Sequence, residues 1–394
     1  MAATVGPPAA RDFDFDESDE QFRGELREFL VGHLPESWLS VFSDAAARAT
    51  SDGVTRALSE HGYLIQHWPP EYGGRGASIW RQAVAQEELW AHGEPRGGQY
   101  MNVNWIGPAI IHFGTDQQKA ELLPEISAGA VTWAQLFSEP GAGSDLAAIA
   151  TRAECTPSGE FVLNGQKVWT SYAAFATRGF LLARTDPNSR RRDGLSVLLI
   201  DMSTPGIEVK PIDTSIGHER FCEVFFRDAV VPASALLGEL DAGWDVAMTA
   251  LSFERSGTAR YARTTRVLGH LEQIADDEDV AALEELSDLL AQGRAAELMN
   301  YAVVALKEAG KVPTWESSAA RVQNVDYEQR VAAFAERVLG SSVRLTADAA
   351  ATRAEAEVAS FAVTMAPTAS IAAGTYEIQL GLIATRGLGL ERAR

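Results

Sequence analysis

Phe22, Leu26, Phe29 and Leu30 recur at helical spacing behind an acidic turn, which predicts a first helix ending near Pro35 after a loose tail over residues 1–15. "RQAVAQEELWAHG" and "TDQQKAELLPEISAG" carry the same period and read as amphipathic helices, while the Pro-Pro and Gly-Gly pairs of "WPPEYGGRGAS" forbid regular structure. The texture changes near residue 131. In "EFVLNGQKVWTSY" two β-prone runs flank Asn164-Gly165, a strong hairpin signal, and "GLSVLLIDM", "GIEVKPI" and "FCEVFFRDAVV" follow as strands between turn residues. From Gly243 the pattern is helical again, with "DVAALEELSDLLAQ" and "YEQRVAAFAERVLG" as amphipathic helices, and no repeat of solenoid period occurs. The expected fold class is α+β: a helical N-terminal domain over 1–130, a middle antiparallel β domain over 131–240 and a helical C-terminal domain over 241–394.

With 394 residues, 46% of them hydrophobic, the chain can bury a large core in two or three domains. No apolar run reaches the ~18 residues a membrane span needs, and the start "MAATVGPPAARDFDFDESDE" is acidic rather than cationic and then apolar. A cytoplasmic protein is expected. Cys155 and Cys222 have no metal-ligand spacing and cannot staple a chain of this size, so both are expected to be reduced and structural, with no metal site. A net charge of −20 repels polyanions and argues against nucleic-acid binding. An anionic ligand would need local Arg and backbone N–H groups to overcome that field.

Candidate chemistry sits where the textures meet. In "WAQLFSEPGAGSDLA" glycines and a proline precede Ser144, which would bring bare N–H groups and a hydroxyl close to a ligand; a tight turn gives the same pattern. Trp169, Thr170 and Ser171 offer an aromatic face and two hydroxyls on one strand, although a strand tryptophan also serves as core. In "ALSFERSG" Glu254 lies beside Arg255 in a stretch that otherwise favours burial, so it is a structural ion pair or a tuned acid. Adjacent helix residues point about 100° apart, which disfavours a neighbour-to-neighbour salt bridge.

Taken together, "FSEPGAGSDL" (137–146), "LNGQKVWTS" (163–171), "GWDVAMTALSFER" (243–255), "AAGTYEIQ" and "ATRGLGLER" closely resemble the acyl-CoA dehydrogenase family. The loop "WPPEYGGRG" and the helix "FGTDQQKAELLPEISAG" are also similar to family patterns, so the resemblance spans nearly the whole chain. It implies an α-helical domain, a middle β-barrel and a C-terminal helical bundle, with FAD as cofactor and α,β-desaturation of an acyl-CoA thioester as the reaction. In that chemistry a base takes the α-proton and the β-hydrogen leaves as hydride to flavin N5.

By the same resemblance, Phe137 and Ser138 touch the isoalloxazine, Gly143 and Ser144 line the floor near flavin and pantetheine, and Trp169, Thr170 and Ser171 flank the ring. Thr375 and Glu377 approach the FAD phosphates and ribityl chain. Many members place the catalytic Glu immediately before the Gly-Thr of the C-terminal loop, where this chain has Ala373. Others, such as isovaleryl-CoA dehydrogenase, carry it on the "ER" helix, and Glu254 matches that position. The resemblance thus implies Glu254 as base, Ala373 N–H as a donor to the thioester carbonyl, and Arg255 as holding the local loop or the acyl-CoA end.

The motifs that reach a neighbouring subunit's FAD in homotetrameric members, Arg-x-x-Phe-Gly and Gln-x-x-Gly-Gly, are not visible. Residues 267–293 hold no Arg and include "ADDEDV", and "ERVLGSSVRL" stands near where the glycine pair is expected. This resembles the actinobacterial group built from two unlike dehydrogenase chains, and implies an α2β2 assembly, with a homo-oligomer as the other arrangement. An electron-transferring flavoprotein is the implied acceptor. Alternative functions are an acyl-CoA oxidase or other flavin enzyme on the same fold, or a catalytically silent subunit. The acyl group stays open among short, branched, steroid and carrier-bound chains.

Overall fold

Asp16 opens the first helix, its carboxylate accepting the Asp19 N–H at 2.9 Å, in a computed structural model that describes residues 15–35, 38–41, 45–215, 217–254, 259–274, 278–340 and 353–391. That helix, α1 (Glu17–His33), buries Phe22, Leu26 and Leu30 and stops at Leu34, just before the proline. The expected tail over residues 1–15 lies outside the described residues except for Phe15. Helices α2 (Ala45–Glu60), α3 (Ile79–Ala91), α4 (Gln99–Met101), α5 (Gly107–Phe113) and α6 (Asp116–Ser127) follow, then strands, then α7 (Gly243–Glu254), α8 (Arg260–Ile274), α9 (Val280–Glu308), α10 (Glu316–Leu339), α11 (Arg353–Ala369) and α12 (Tyr376–Leu382). A reciprocal capping box starts α6, with Thr115 Oγ1 accepting the Gln118 N–H at 3.2 Å and Gln118 Oε1 accepting the Thr115 N–H at 3.0 Å.

The chain forms two compact units, one from Met1–Leu39, Ala77–Glu94 and Arg255–Arg394, the other from Ser40–Gly76 and Pro95–Glu254. In the first, α10 packs on α8, α9, α11 and α12, and α3 packs on α1, α8 and α9. The amphipathic reading of α3 needs correction. Every residue from Gln82 to Trp90 is buried, because its polar positions meet charges from α1: Arg23 and Arg27 donate to Glu87 and Glu88 at 2.7 Å. Charged partners, not solvent, occupy that face.

The second unit holds β1 (Trp133–Leu136), β2 (Arg152–Cys155), β3 (Phe161–Ser171), β4 (Arg178–Arg184), β5 (Leu195–Asp201), β6 (Ile207–Thr214), β7 (Gly217–Val231) and β8 (Leu236–Leu237). Hydrogen bonds link them in the order β6-β7-β3-β2-β4-β5-β8, with β1 joined to β4. Both β1 and β2 run parallel to β4, and among the described residues no pairing closes β6 onto β8. The middle region is therefore an open, mixed sheet, which corrects the expected antiparallel barrel. Pairing of β1 with β4 joins segments separated by two other strands, a non-local choice that local alternation does not encode.

The expected hairpin at Asn164-Gly165 is also corrected. Strand β3 runs straight through it, and the register advances from Leu163↔Ala229 to Gly165↔Phe226, so the extra residue is on β7. Asp228 there has φ 48°, donates its N–H to Asn164 Oδ1 and accepts from Asn164 Nδ2, both at 3.0 Å. The asparagine pins a bulge in its neighbour instead of turning its own chain. A Cβ at Gly165 would stand 2.6 to 2.8 Å from Thr151 atoms, so the glycine allows a close strand approach. Leu136, Leu163, Leu181, Leu198, Cys222, Val224 and Phe226 form the sheet's core. Cys222 is buried and Cys155 exposed, both free.

Candidate active site

A second bulge shapes the end of β3. From Lys167↔Val224 to Thr170↔Cys222, β3 advances three residues while β7 advances two. The extra residue breaks the in-out alternation and swings Trp169 outward, leaving it 58% exposed at φ 58°. A tryptophan in the left-handed region is strained, and strain of this kind concentrates at functional positions. Its ring meets Phe221 edge-on, centroids 6.2 Å apart. Thr170 is buried, and its hydroxyl has no hydrogen-bond partner among the described residues. Ser171 is half-buried.

Beside this bulge the chain leaves β1 through Phe137 and Ser138. Phe137 is buried with its ring stacked on Phe180 at 5.7 Å, and the Ser138 carbonyl accepts the Val168 N–H at 2.9 Å. The Ser138 N–H has no acceptor among the described residues. Glu139 and Ala142 then exchange two backbone bonds of 3.0 Å, closing a tight turn that leads to exposed Gly143 and Ser144. A Cβ at Gly141 or Gly143 would meet nothing within 4 Å, so open space lies over both glycines.

A buried ion pair holds the corner. The Glu139 carboxylate accepts Lys167 Nζ at 2.8 Å, the Thr151 N–H at 2.9 Å and the Ala150 N–H at 2.6 Å, while Lys167 Nζ also donates to the Phe137 carbonyl at 2.9 Å. Complete burial pushes the Lys167 ammonium down to about 8 against the upward pull of Glu139. Burial alone would raise the Glu139 carboxyl, but Lys167 and the N–H donors outweigh it and leave it below the usual carboxylate range. Neither residue was assigned a role from sequence. Lys167 shares its strand parity with inward-facing Phe161 and Leu163, a signal that could have found it.

This corner is built from the segments that carry the "FSEPGAGSDL" and "LNGQKVWTS" motifs. Sequence profiles of the acyl-CoA dehydrogenase N-terminal, middle and C-terminal domains match residues 16–130, 134–229 and 241–388. The chain belongs to the acyl-CoA dehydrogenase family. Its three-part architecture, helical at both ends with a sheet between, is that family's fold. It is 32% identical to acyl-CoA dehydrogenase IpdE1 of Mycobacterium tuberculosis, covering 95% of this chain and 98% of that one. It is 37% identical to acyl-CoA dehydrogenase FadE34 of the same organism over 92% of this chain, and spans about half (49%) of that longer relative. Among solved structures, a steroid ACAD, Tcur3481-Tcur3483, superposes with a TM-score of 0.87 at 28% identity, covering 97% of this chain and 100% of that one. The ChsE4-ChsE5 complex from Mycobacterium tuberculosis gives 0.85 at 27% identity, covering 96% and 99%.

The remaining residues that the acyl-CoA dehydrogenase resemblance singles out fall elsewhere in the chain. Glu254 is the last residue of α7, which buries Val246, Ala247 and Ala250; the Glu254 side chain and Arg255 lie outside the described residues. Ala373, Thr375 and Glu377 belong to the other unit. Ala373 has φ 57° and precedes Gly374 at φ 86°, so the loop makes a left-handed turn before α12. Thr375 caps α12 by accepting the Ile378 N–H at 3.3 Å, and Glu377 is exposed in its first turn. Buried Gln379 donates to the Ala373 carbonyl at 3.1 Å, and Arg321 donates to the Ala372 carbonyl at 3.0 Å. The Ala373 N–H has no acceptor among the described residues. Sequence reasoning missed Arg321 and Gln379, whose roles exist only through the carbonyls they hold.

Proposed function

We propose that this chain catalyses FAD-dependent α,β-dehydrogenation of an acyl-CoA thioester, with Glu254 as the base for the α-proton. The observation that carries the reading is the end of β3, where a strained, exposed indole stands beside a buried hydroxyl with no partner among the described residues. A flavin suits that donor set. Trp169 offers a face for a planar ring, and Thr170 Oγ1, the Ser138 N–H and Ser171 offer polar contacts to its edge, with Phe137 backing them. The open space over Gly143 and next to Ser144 accommodates the neighbouring part of a ligand. FAD, when bound, supplies the hydride acceptor for the β-hydrogen.

The chain's own residues do the rest. Glu254 removes the α-proton, and the unpaired Ala373 N–H donates to the thioester oxygen as negative charge develops there, a role that needs no side chain. Thr375 and Glu377 serve the FAD phosphates and ribityl chain, and Arg255 the acyl-CoA end. Two matched structures are named as steroid ACAD or as the ChsE4-ChsE5 complex. They support a steroid side-chain thioester as substrate and a second dehydrogenase-like chain as partner in an α2β2 assembly. The reading extends to domains at 1–130, 131–240 and 241–394, a cytoplasmic location and an electron-transferring flavoprotein as acceptor. No helix among the described residues is long and apolar enough to cross a membrane.

The decisive variant is Glu254→Ala, which should keep its flavin absorbance and lose turnover by roughly 10²–10⁴-fold. Near-normal turnover in that variant would refute the base, and faster turnover of a short-chain than of a steroid side-chain thioester by the parent enzyme would refute the substrate class. For assembly, the chain expressed alone should be flavin-poor, and co-expression with its partner should restore a yellow, active complex. A stable homotetramer with one FAD per chain and full activity would exclude the α2β2 proposal.

A further inference from the structure

Lys167 is the feature the proposed chemistry leaves unused. A fully buried ammonium carries a large desolvation cost, and a hydrophobic residue of similar length would fill the same space. The corner does not depend on it for closure: Glu139 is already tied to the Ala150 and Thr151 N–H groups, and Gly165 brings β3 against Thr151. What the ammonium adds is its second bond, to the Phe137 carbonyl at 2.9 Å. That carbonyl belongs to the same amide group as the unpaired Ser138 N–H.

We propose that Lys167 is a positioning residue that orients and polarises the Phe137–Ser138 peptide, making the Ser138 N–H a stronger donor to the flavin edge as electron density arrives there. The proposal rests on the flavin reading given above and deepens it. A cation at an amide oxygen draws electron density toward oxygen and leaves the N–H more acidic, and hydrogen bonds in series strengthen one another in a low-dielectric site. Glu139 holds the ammonium at 2.8 Å and counters the cost of its burial. Because the polarised N–H favours the electron-rich ring, Lys167 should raise the flavin's reduction potential rather than simply tighten its binding. Glu139 acts only through Lys167 and is likewise a positioning residue.

The test compares Lys167→Met, Lys167→Gln and Lys167→Arg in the FAD-bearing form of the protein, with its partner chain where that is needed to hold flavin. The readouts are thermal unfolding, FAD affinity by fluorescence quenching and reduction potential by equilibration with a reference dye. Lys167→Met should shift the ratio of affinities for reduced over oxidised FAD about tenfold toward the oxidised form, a potential lower by about 30 mV for this two-electron couple. Lys167→Arg, which keeps the charge, should hold the parent potential even where stability falls. An unchanged potential in Lys167→Met, or an equal shift in Lys167→Arg, would make the residue a structural brace and overturn the proposal. If Lys167→Met does not fold, Gln against Arg decides, since Gln keeps a donor without the charge; equal potentials in that pair overturn it. A parent protein that takes up no FAD would remove the flavin reading itself, an outcome distinct from any result on Lys167.

Discussion

Glu139 and Glu87 are both buried carboxylates that accept from a cationic side chain, one in each compact unit, and their protonation equilibria move in opposite directions. Burial pushes Glu87 up and Arg23 does not fully offset it, so its carboxyl stands above the usual range. Glu139 also suffers burial, yet Lys167 and its N–H partners outweigh the cost and bring it below that range. The donors differ. Glu139 accepts from two backbone N–H groups that cannot leave, plus the ammonium. Glu87 accepts from Arg23, which also reaches Glu88, and from the phenol of Tyr261, itself fully buried with its own pKa raised well above 10 by burial and by Glu87. Fixed main-chain donors hold a charge in place, whereas shared and neutral side-chain donors leave the carboxylate closer to taking a proton.

The largest effect should come from breaking the fixed pair. Glu139→Ala strands the buried Lys167 ammonium and the buried Thr151 N–H, and removing one partner of a buried pair costs about 3–5 kcal/mol. Chemical denaturation should register that loss. A change within about 1 kcal/mol would mean that the corner is held by Gly165 and the strands alone. Glu87→Gln is the contrasting variant: it keeps an acceptor for the Tyr261 hydroxyl and removes only a charge that burial already disfavours.

This contrast also separates what the sequence made legible from what it did not. The helical spacing of Phe22, Leu26 and Leu30 is a local signal, and the structure uses it as read. Only the family motifs pointed to Trp169 and Thr170, because a strand tryptophan also serves as core and the bulge that turns it outward depends on its register with β7. Asn164-Gly165 was misread because the same dipeptide chemistry that closes a hairpin also stabilises a bulge in a neighbouring strand, and the choice between them depends on Asp228, distant in sequence. Lys167 and Glu87 were not legible as buried groups. A charged side chain reads as solvent-facing until its partner is known, and each partner arrives from another element of the fold. The open sheet was hidden for the same reason, since β1 pairs with β4 across an intervening pair of strands.

The smallest expected effect is a pH dependence, and its sign follows from the two directions. Glu139, depressed in the folded state, contributes stability above the ordinary carboxylate value of 4.5, and that contribution is lost as pH falls through its folded pKa. Glu87, raised in the folded state, behaves in reverse: its contribution is fully present below 4.5 and is lost as pH rises through its folded pKa, because the unfolded chain ionises first. Glu87→Gln cannot ionise and removes that loss. The variant should therefore match the parent at pH 4 and gain stability relative to it as pH rises toward 8, because burial raises the Glu87 carboxyl and Arg23 does not fully offset it. Unfolding midpoints of the two proteins measured across that range give the answer directly. A Glu87→Gln protein that is less stable than the parent at pH 8, by an amount that shrinks in acid, would show that Arg23 holds Glu87 ionised more firmly than burial opposes it, and the contrast between the two carboxylates would disappear.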